Sequence, residues 1–311
     1  MIAHSVSIVI PVYNSAESLP TLVGQLDSLR GSLAEEMEVI LVNDGSQDRS
    51  AAVMAELAHI YRGVRPISLL RNYGQHNALL CGIRKAANEI IVTMDDDLQN
   101  PVEEIEKLLL QLQKGYDVVY GYPERESHGM SRDLASRITK LALRQVMGVE
   151  TARHVSSFRA FRAEIREAFR SYDGAFVSID VLLSWGTSRF STVPVRNPRR
   201  TIGKSNYTVA KLTVHAMNMM TGFTVLPLQL ASVIGFAVAL FGVCILVYVV
   251  IRYFIQGDAV PGFPFLASIV SIFSGVQLFA LGIIGEYLAR MHFRLMNRPS
   301  YAERSRVEED D

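Results

Sequence analysis

No Asp, Glu, Lys or Arg occurs from Leu212 to Ile251, a run of 40 residues, or from Ala259 to Gly285, a further 27. A helix needs about 20 apolar residues to cross the hydrocarbon core of a bilayer. Leu228–Ile251 and Phe263–Gly285 are both long enough. The expected arrangement is a pair of transmembrane helices joined by a tight turn at QGDAVPGFP, residues 256–264. A buried helical hairpin in a large soluble core is the alternative, and two adjacent spans of this length seldom occur there. Composition favours lipid: 49% of the 311 residues are hydrophobic and mean hydropathy is +0.20, too apolar for an ordinary soluble chain of this size.

Positive charge orients the hairpin. Arg196, Arg199, Arg200, Lys204 and Lys211 precede the first span, and Arg290, Arg294 and Arg298 follow the second. The connecting loop has only Arg252 at its edge, so both chain ends are expected on the cytoplasmic side. Upstream, Val209, Leu212, Ala216, Met220 and Phe223 share one helical face, opposite Lys204, Thr208, Lys211, His215 and Asn218. That pattern predicts a helix lying in the membrane interface, with a surface helix of the soluble part as its alternative.

Overall charge is balanced at 31 basic and 31 acidic residues, which excludes a generic polyanion binder and makes nucleic acid an unexpected partner. The two cysteines, one inside an apolar run at Cys244, support neither a disulfide framework nor a structural zinc site. The N-terminal MIAHSVSIVIPVYN lacks a basic region and a long apolar stretch, and is expected to be a strand rather than a leader.

Between Ser5 and Val195, short β-branched runs alternate with amphipathic stretches: Val6–Ile10 then Glu17–Leu29, Glu38–Val42 then Arg49–His59, Ile67–Leu70 then Gln75–Ala87, and Ile90–Met94 then Val102–Gln113, with Val118–Tyr120 after them. This predicts a mostly parallel α/β sheet covered on both faces. Ligands of such sheets bind beyond the carboxyl ends of the strands, where PVYN (11–14), NDGSQD (43–48), RNYGQHN (71–77) and DDDLQNP (95–101) fall.

The sharpest chemical signal is the run Asp95-Asp96-Asp97 with Gln99 and Asn100, placed after a strand and before a helix. Alternate residues leaving a strand point the same way, so Asp95 and Asp97 can converge on a hard divalent cation while Asp96 turns aside. A helix N-cap cluster ending at Pro101 is the alternative, though capping alone needs no three adjacent carboxylates. After the second strand, Asp44 as an exposed carboxylate with the glycine turn at Gly45 suits recognition of a base or ribose rather than a phosphate, and an Asx turn would explain these residues equally.

The whole length, from SIVIPVYNSAESL through the paired spans to GEYLARMHFRLMNRP, resembles the polyprenyl-phosphate glycosyltransferases of glycosyltransferase family 2. RNYGQHNALLCGI with MDDDLQNPVEEI is most similar to the undecaprenyl-phosphate aminoarabinose transferases, and the two-span tail resembles the bactoprenol glucosyltransferases. The resemblance implies a GT-A fold over residues 1–203, an amphipathic juxtamembrane helix over 204–226, a transmembrane hairpin over 227–288 and a cytosolic tail over 289–311. It implies Mg2+ or Mn2+ as cofactor, a UDP- or GDP-linked sugar as donor, a polyprenyl phosphate acceptor and a place in the bacterial inner membrane. A homo-oligomer is left open.

By the same resemblance, Pro11, Tyr13 and Asp44 line the nucleoside pocket, and Arg71, Gln75 and Asp96 lie with the donor. Asp95, Asp97 and Gln99 hold the metal. Arg132 and Ser136 bind the acceptor phosphate, with Ser157 and Arg159 flanking it; a solvated helix face and an exposed strand-edge arginine are the plainer alternatives. Ser15 stands where many relatives have glutamate, and Ser157 stands where some carry an aspartate assigned as base. A phosphomonoester, with its second pKa near about 6, is already largely dianionic at neutral pH and needs placement more than deprotonation. A processive synthase of the same superfamily would normally need a Gln-x-x-Arg-Trp motif, whereas Trp185 is followed by Gly186. A non-catalytic membrane scaffold is the other rival, disfavoured by the intact aspartates.

Overall fold

The computed structural model describes residues 2–124, 154–174, 177–196, 198, 226–256, 262–296 and 299–305. The chain forms two compact units, one of residues 1–213 with 297–311, the other of residues 214–296.

The first unit is built on a seven-stranded sheet. In chain order its strands are β1 (Ala3–Val12), β2 (Ala34–Asn43), β3 (Val64–Ser68), β4 (Ile90–Thr93), β5 (Val118–Pro123), β6 (Arg159–Arg162) and β7 (Phe190–Val195). They lie side by side in the order β3-β2-β1-β4-β6-β5-β7. All pairings are parallel except those of β6, which runs antiparallel to both β4 and β5. The expected mostly parallel sheet is therefore mixed at one position. β1 is buried on both faces along Val6–Val12, as a central parallel strand must be when helices cover each side.

The helices are α1 (Leu19–Ser28), α2 (Ser50–Ile60), α3 (Gln75–Lys85), α4 (Ile105–Gln113) and α5 (Ile179–Gly186). In α1, Leu19, Leu22, Val23 and Leu26 fall at helical spacing on one buried face. That face packs into the core formed by Val6, Ile8 and Ile10 from β1 and Leu108 and Leu112 from α4. Truncating Leu22 to alanine there costs about 2–5 kcal/mol. β3 begins three residues earlier than its apolar run Ile67–Leu70 suggests, because Val64–Ser68 is the stretch that pairs with Val39–Asn43 of β2.

The strand order places the topological switch point between β1 and β4: the chain winds from β1 through β2 to β3 on one side, then returns to lay β4 on the other. A crevice opens at the carboxyl ends of strands at such a point.

The second unit contains α6 (Leu226–Gln256) and α7 (Phe263–Leu295). Within them Pro227–Arg252 and Ile272–His292 have mean hydropathies of 2.9 and 1.6 and are long and apolar enough to cross a membrane; neither is buried inside the protein. α7 begins inside the expected turn, at Phe263, and runs beyond Gly285 to Leu295. The amphipathic stretch 204–225 lies outside the described residues.

Candidate active site

The switch-point crevice is a cleft of about 520 Å³. Pro11 and Tyr13 line it from the end of β1, Asp44 from the end of β2, Gln75 from the start of α3, and Asp95, Asp96, Asp97 and Gln99 from the segment after β4. Asn72, Gly74 and Ser157 complete the wall. Residues from five separate stretches of sequence are thus brought to one place by the sheet.

The loops after β1 and β2 are fastened to each other by polar side chains. Asn14 donates its N–H to Ser46 Oγ at 3.0 Å and accepts the Gln47 N–H on Oδ1 at 2.8 Å. The Ser15 N–H reaches Ser50 Oγ at 2.8 Å. Asn14 adopts a left-handed backbone with φ 54°, a conformation Asn tolerates better than most residues. These links fix Tyr13 at the rim of the cleft, half exposed.

Asp44 departs from expectation. Read as an exposed carboxylate, it is 3% exposed, and its oxygens accept the backbone N–H groups of Tyr73 at 2.7 Å and Gly74 at 2.8 Å. Burial raises its pKa above the usual aspartate value, with the two amide bonds pulling against that rise. The carboxylate therefore ties the β2 end to the loop at 71–74 while also lining the cleft. Arg71 is not among the lining residues; its guanidinium stacks over the Tyr73 ring at 4.5 Å on that same loop.

The aspartate run behaves as three groups with three environments. Asp95 accepts Gln75 Nε2 at 2.6 Å and the Ser157 hydroxyl at 2.6 Å, so its orientation is set from both sides of the cleft. Asp96 accepts the Tyr13 N–H at 3.2 Å, and burial, opposed by Ser15 and Tyr13, pushes its pKa up to about 6. Asp96 thus bonds the β1 loop rather than the partners of Asp95, and it too lines the cleft. Asp97 accepts the Gln99 N–H at 3.1 Å across Leu98, whose φ of 60° is rare for such a side chain. A left-handed residue costs roughly 1–2 kcal/mol, and strain of this kind collects at functional sites.

The cleft-lining side chains expected to hold a metal offer oxygen donors: carboxylates from Asp95 and Asp97 and the side-chain carbonyl of Gln99. Among the described residues no group of three or more His, Cys, Asp or Glu side chains is placed to hold a metal ion on its own, so the protein would offer two carboxylates at most. An open, oxygen-only set suits a hard cation such as Mg2+, which typically binds through one or two carboxylates plus substrate phosphates and water. The residues present fit such an ion.

Arg159 requires a correction. Expected beside an acceptor, it is 1% exposed in the middle of the sheet, ion-paired with Asp180 of α5 and bonded to Thr93 Oγ1 at 3.0 Å. Tyr120 closes this interior network through a hydroxyl bond to Asp180 at 3.1 Å. β6 lies between β4 and β5, so the residue is neither at a strand edge nor exposed. Arg132 and Ser136 lie outside the described residues. The role of Ser157 in holding Asp95 carried no sequence signal, since the two are 62 positions apart.

A family model described as glycosyl transferase family 2 matches residues 7–170. The chain belongs to glycosyl transferase family 2. It is 35% identical over 301 residues to the undecaprenyl-phosphate 4-deoxy-4-formamido-L-arabinose transferase of Pseudomonas fluorescens (strain SBW25), covering 96% of this chain and 88% of that one. The protein of the same name from Proteus mirabilis (strain HI4320) is also 35% identical, with 96% and 92% covered. Among solved structures, glucosyl-3-phosphoglycerate synthase from Mycobacterium tuberculosis with phosphoglyceric acid superposes with a TM-score of 0.53 at 19% identity, over 70% of this chain and 78% of that one. The same enzyme with Mn2+, UDP and glucosyl-3-phosphoglycerate gives 0.52 at 20% identity over the same shares. At that identity the likeness establishes the GT-A fold of this family 2 domain and nothing finer.

Proposed function

We propose that this family 2 protein transfers a sugar, with inversion, from a nucleoside diphosphate to undecaprenyl or a related polyprenyl phosphate at the cytoplasmic face of the bacterial inner membrane. The observation that carries the proposal is the cleft at the β1/β4 switch point, which Tyr13 and Asp44 line together with three consecutive aspartates. The relatives named for transfer to undecaprenyl phosphate match across 96% of the chain, the two apolar helices included.

In this reading Pro11, Tyr13 and Asp44 surround the nucleoside, and Gln75 and Arg71 stand near the diphosphate. Asp95, Asp97 and Gln99 hold Mg2+ or Mn2+, which when bound neutralises charge on the departing diphosphate. Gln75 and Ser157, each bonded to one oxygen of Asp95, fix the orientation of the carboxylate that would hold this ion. Arg132 and Ser136 place the acceptor phosphate, whose own second pKa near about 6 supplies a dianionic nucleophile without a protein base. Attack from the face opposite the leaving diphosphate inverts the anomeric centre in one displacement. The work of the protein is orientation and charge stabilisation. The two apolar helices, with their flanking arginines, would tether the chain to the membrane that contains the lipid acceptor.

The test is incubation of the purified full chain with undecaprenyl phosphate and a series of UDP- and GDP-sugars, with mass detection of lipid products. One donor yielding a sugar phospholipid is the expected result. Hydrolysis of donors without any lipid product, across the series and with either metal, would remove the acceptor assignment. Arg132→Ala refines it: the KM for lipid phosphate should rise much more than that for the donor, because a guanidinium grips phosphate bidentately.

A further inference from the structure

After the second apolar helix the chain returns to the α/β unit, and Ser300–Arg304 lies along the free edge of β3. Ala302 O accepts the Leu70 N–H at 2.9 Å, the Arg304 N–H reaches Ser68 O at 2.8 Å, and Leu69 and Glu303 form an antiparallel bridge. Side chains carry the contact onto α3. Lys85 Nζ sits 3.1 Å from the Glu303 carboxylate, the Cys81 thiol donates to the same carboxylate at 3.8 Å across 222 positions of sequence, and the Arg84 guanidinium lies over the Tyr301 ring at 5.7 Å. At the other end the buried Ser300 hydroxyl donates to Gly174 O at 3.0 Å.

These contacts bracket one stretch of chain. Leu69 and Leu70 lead directly into Arg71–Gly74, whose Tyr73 and Gly74 amides bind Asp44, and Cys81–Lys85 is the far end of the helix whose first residue, Gln75, binds Asp95. We propose that Ser300–Arg304 is a positioning strap for the donor site: its seating on β3 and α3 holds Arg71–Gln75 where Asp44 and Asp95 need them. Donor affinity then depends on a segment that touches neither the cleft nor the donor. The proposal rests on reading the cleft as a nucleoside diphosphate site. Capping a sheet edge would by itself stabilise the fold, but it would not couple the strap to ligand. Coupling is reciprocal, so a strap that strengthens donor binding must itself be tightened by the donor.

The experiment uses the full chain in detergent, with UDP and Mn2+ as the probe. Amide exchange of peptides containing Leu70 and Arg304 should slow when UDP is added. Arg304→Pro deletes the N–H that bonds Ser68, and should weaken UDP binding about threefold to tenfold, the scale of one backbone hydrogen bond. Arg304→Ala keeps that N–H and should bind UDP like the parent. The KM for polyprenyl phosphate should not move in either variant. Equal UDP affinity of folded Arg304→Pro and Arg304→Ala, or exchange at Leu70 and Arg304 indifferent to bound UDP, overturns the strap. Should Arg304→Pro fail to fold, Glu303→Lys decides: it should weaken UDP binding by about twofold, the scale of a surface ion pair, with Lys85→Glu restoring it. No weakening, or no rescue, overturns the proposal. Failure of the parent chain to bind either UDP or GDP would instead overturn the reading of the cleft, and the strap with it.

Discussion

Gly45 sits immediately after Asp44 with φ +69°, and a Cβ there would meet Asn72 N at 2.5 Å and the Arg71 carbonyl carbon at 2.6 Å. Gly45→Ala therefore carries two separate costs. The left-handed backbone strains any Cβ-bearing residue by roughly 1–2 kcal/mol. The contact with backbone is closer than real Cβ atoms approach, so the 71–74 loop must retreat, and it is held by the Asp44 bonds of 2.7 and 2.8 Å. Losing one such charge-assisted bond adds about 1.5–3 kcal/mol. Together the substitution should destabilise the α/β unit by about 3–5 kcal/mol, which at about 2–4 °C per kcal/mol lowers Tm by roughly 5–20 °C. Gly31→Ala is the control: its φ is +82°, yet nothing lies within 4 Å of the added Cβ, so only backbone strain remains. Thermal unfolding of the three full-length proteins in one detergent, followed by UDP titration of the folded fractions, reads both consequences. Gly45→Ala should also bind UDP more weakly, since the displaced loop carries Asn72 and Gly74 of the cleft wall. A Tm no lower than that of Gly31→Ala, with UDP affinity unchanged, would refute the claim that Asp44 and the 71–74 loop are locked together.

Asp97→Ala should cut transfer by about 10²–10³ while leaving the circular dichroism spectrum intact, because a partly buried carboxylate on the cleft wall contributes charge stabilisation to the reaction and little to the core; rates in Mg2+ and Mn2+ within a few-fold of the parent would sink the metal assignment. Ser157→Ala releases one of the two bonds that aim Asp95 and should lower the rate by at most about a hundredfold, as expected for one hydrogen bond to a charged group. Its pH profile should stay parallel to the parent's, and loss of a protonation step in the variant would reinstate a protein base. Glu38 is buried, and although burial opposes its charge, bonds from Ser7, Ala87 and Arg65 hold its pKa below the ordinary 4.5. Its stabilisation is therefore complete above that ordinary value and disappears as pH falls through the lowered one. Glu38→Gln should be less stable by about 1–3 kcal/mol at neutral pH, and its Tm deficit should shrink on acidification; a deficit that grows below pH 4.5 would reverse the sign of the argument.

The amino-acid sequence by itself determined the features that depend on neighbours in the chain. The β-branched runs and their intervening helical faces set β1 through β5 and α1 through α4, the uncharged runs set α6 and α7, and the aspartates after β4 marked the cleft. Each is local, because a strand, an apolar helix and a turn at a strand end are specified by residues within a few positions of one another. Tertiary structure alone decided which polar groups meet. Asp44 reads as an exposed turn residue until Tyr73 and Gly74 arrive to bond it. Arg159 reads as a phosphate ligand until β6 inserts between β4 and β5 and α5 brings Asp180 to it. Glu303 falls in the expected cytosolic tail, and nothing in the sequence pairs it with Lys85 and Cys81. A buried charge must find its partner wherever the topology supplies one, and such partners have no period and no fixed spacing, so the pairing becomes legible only when the sheet order is known.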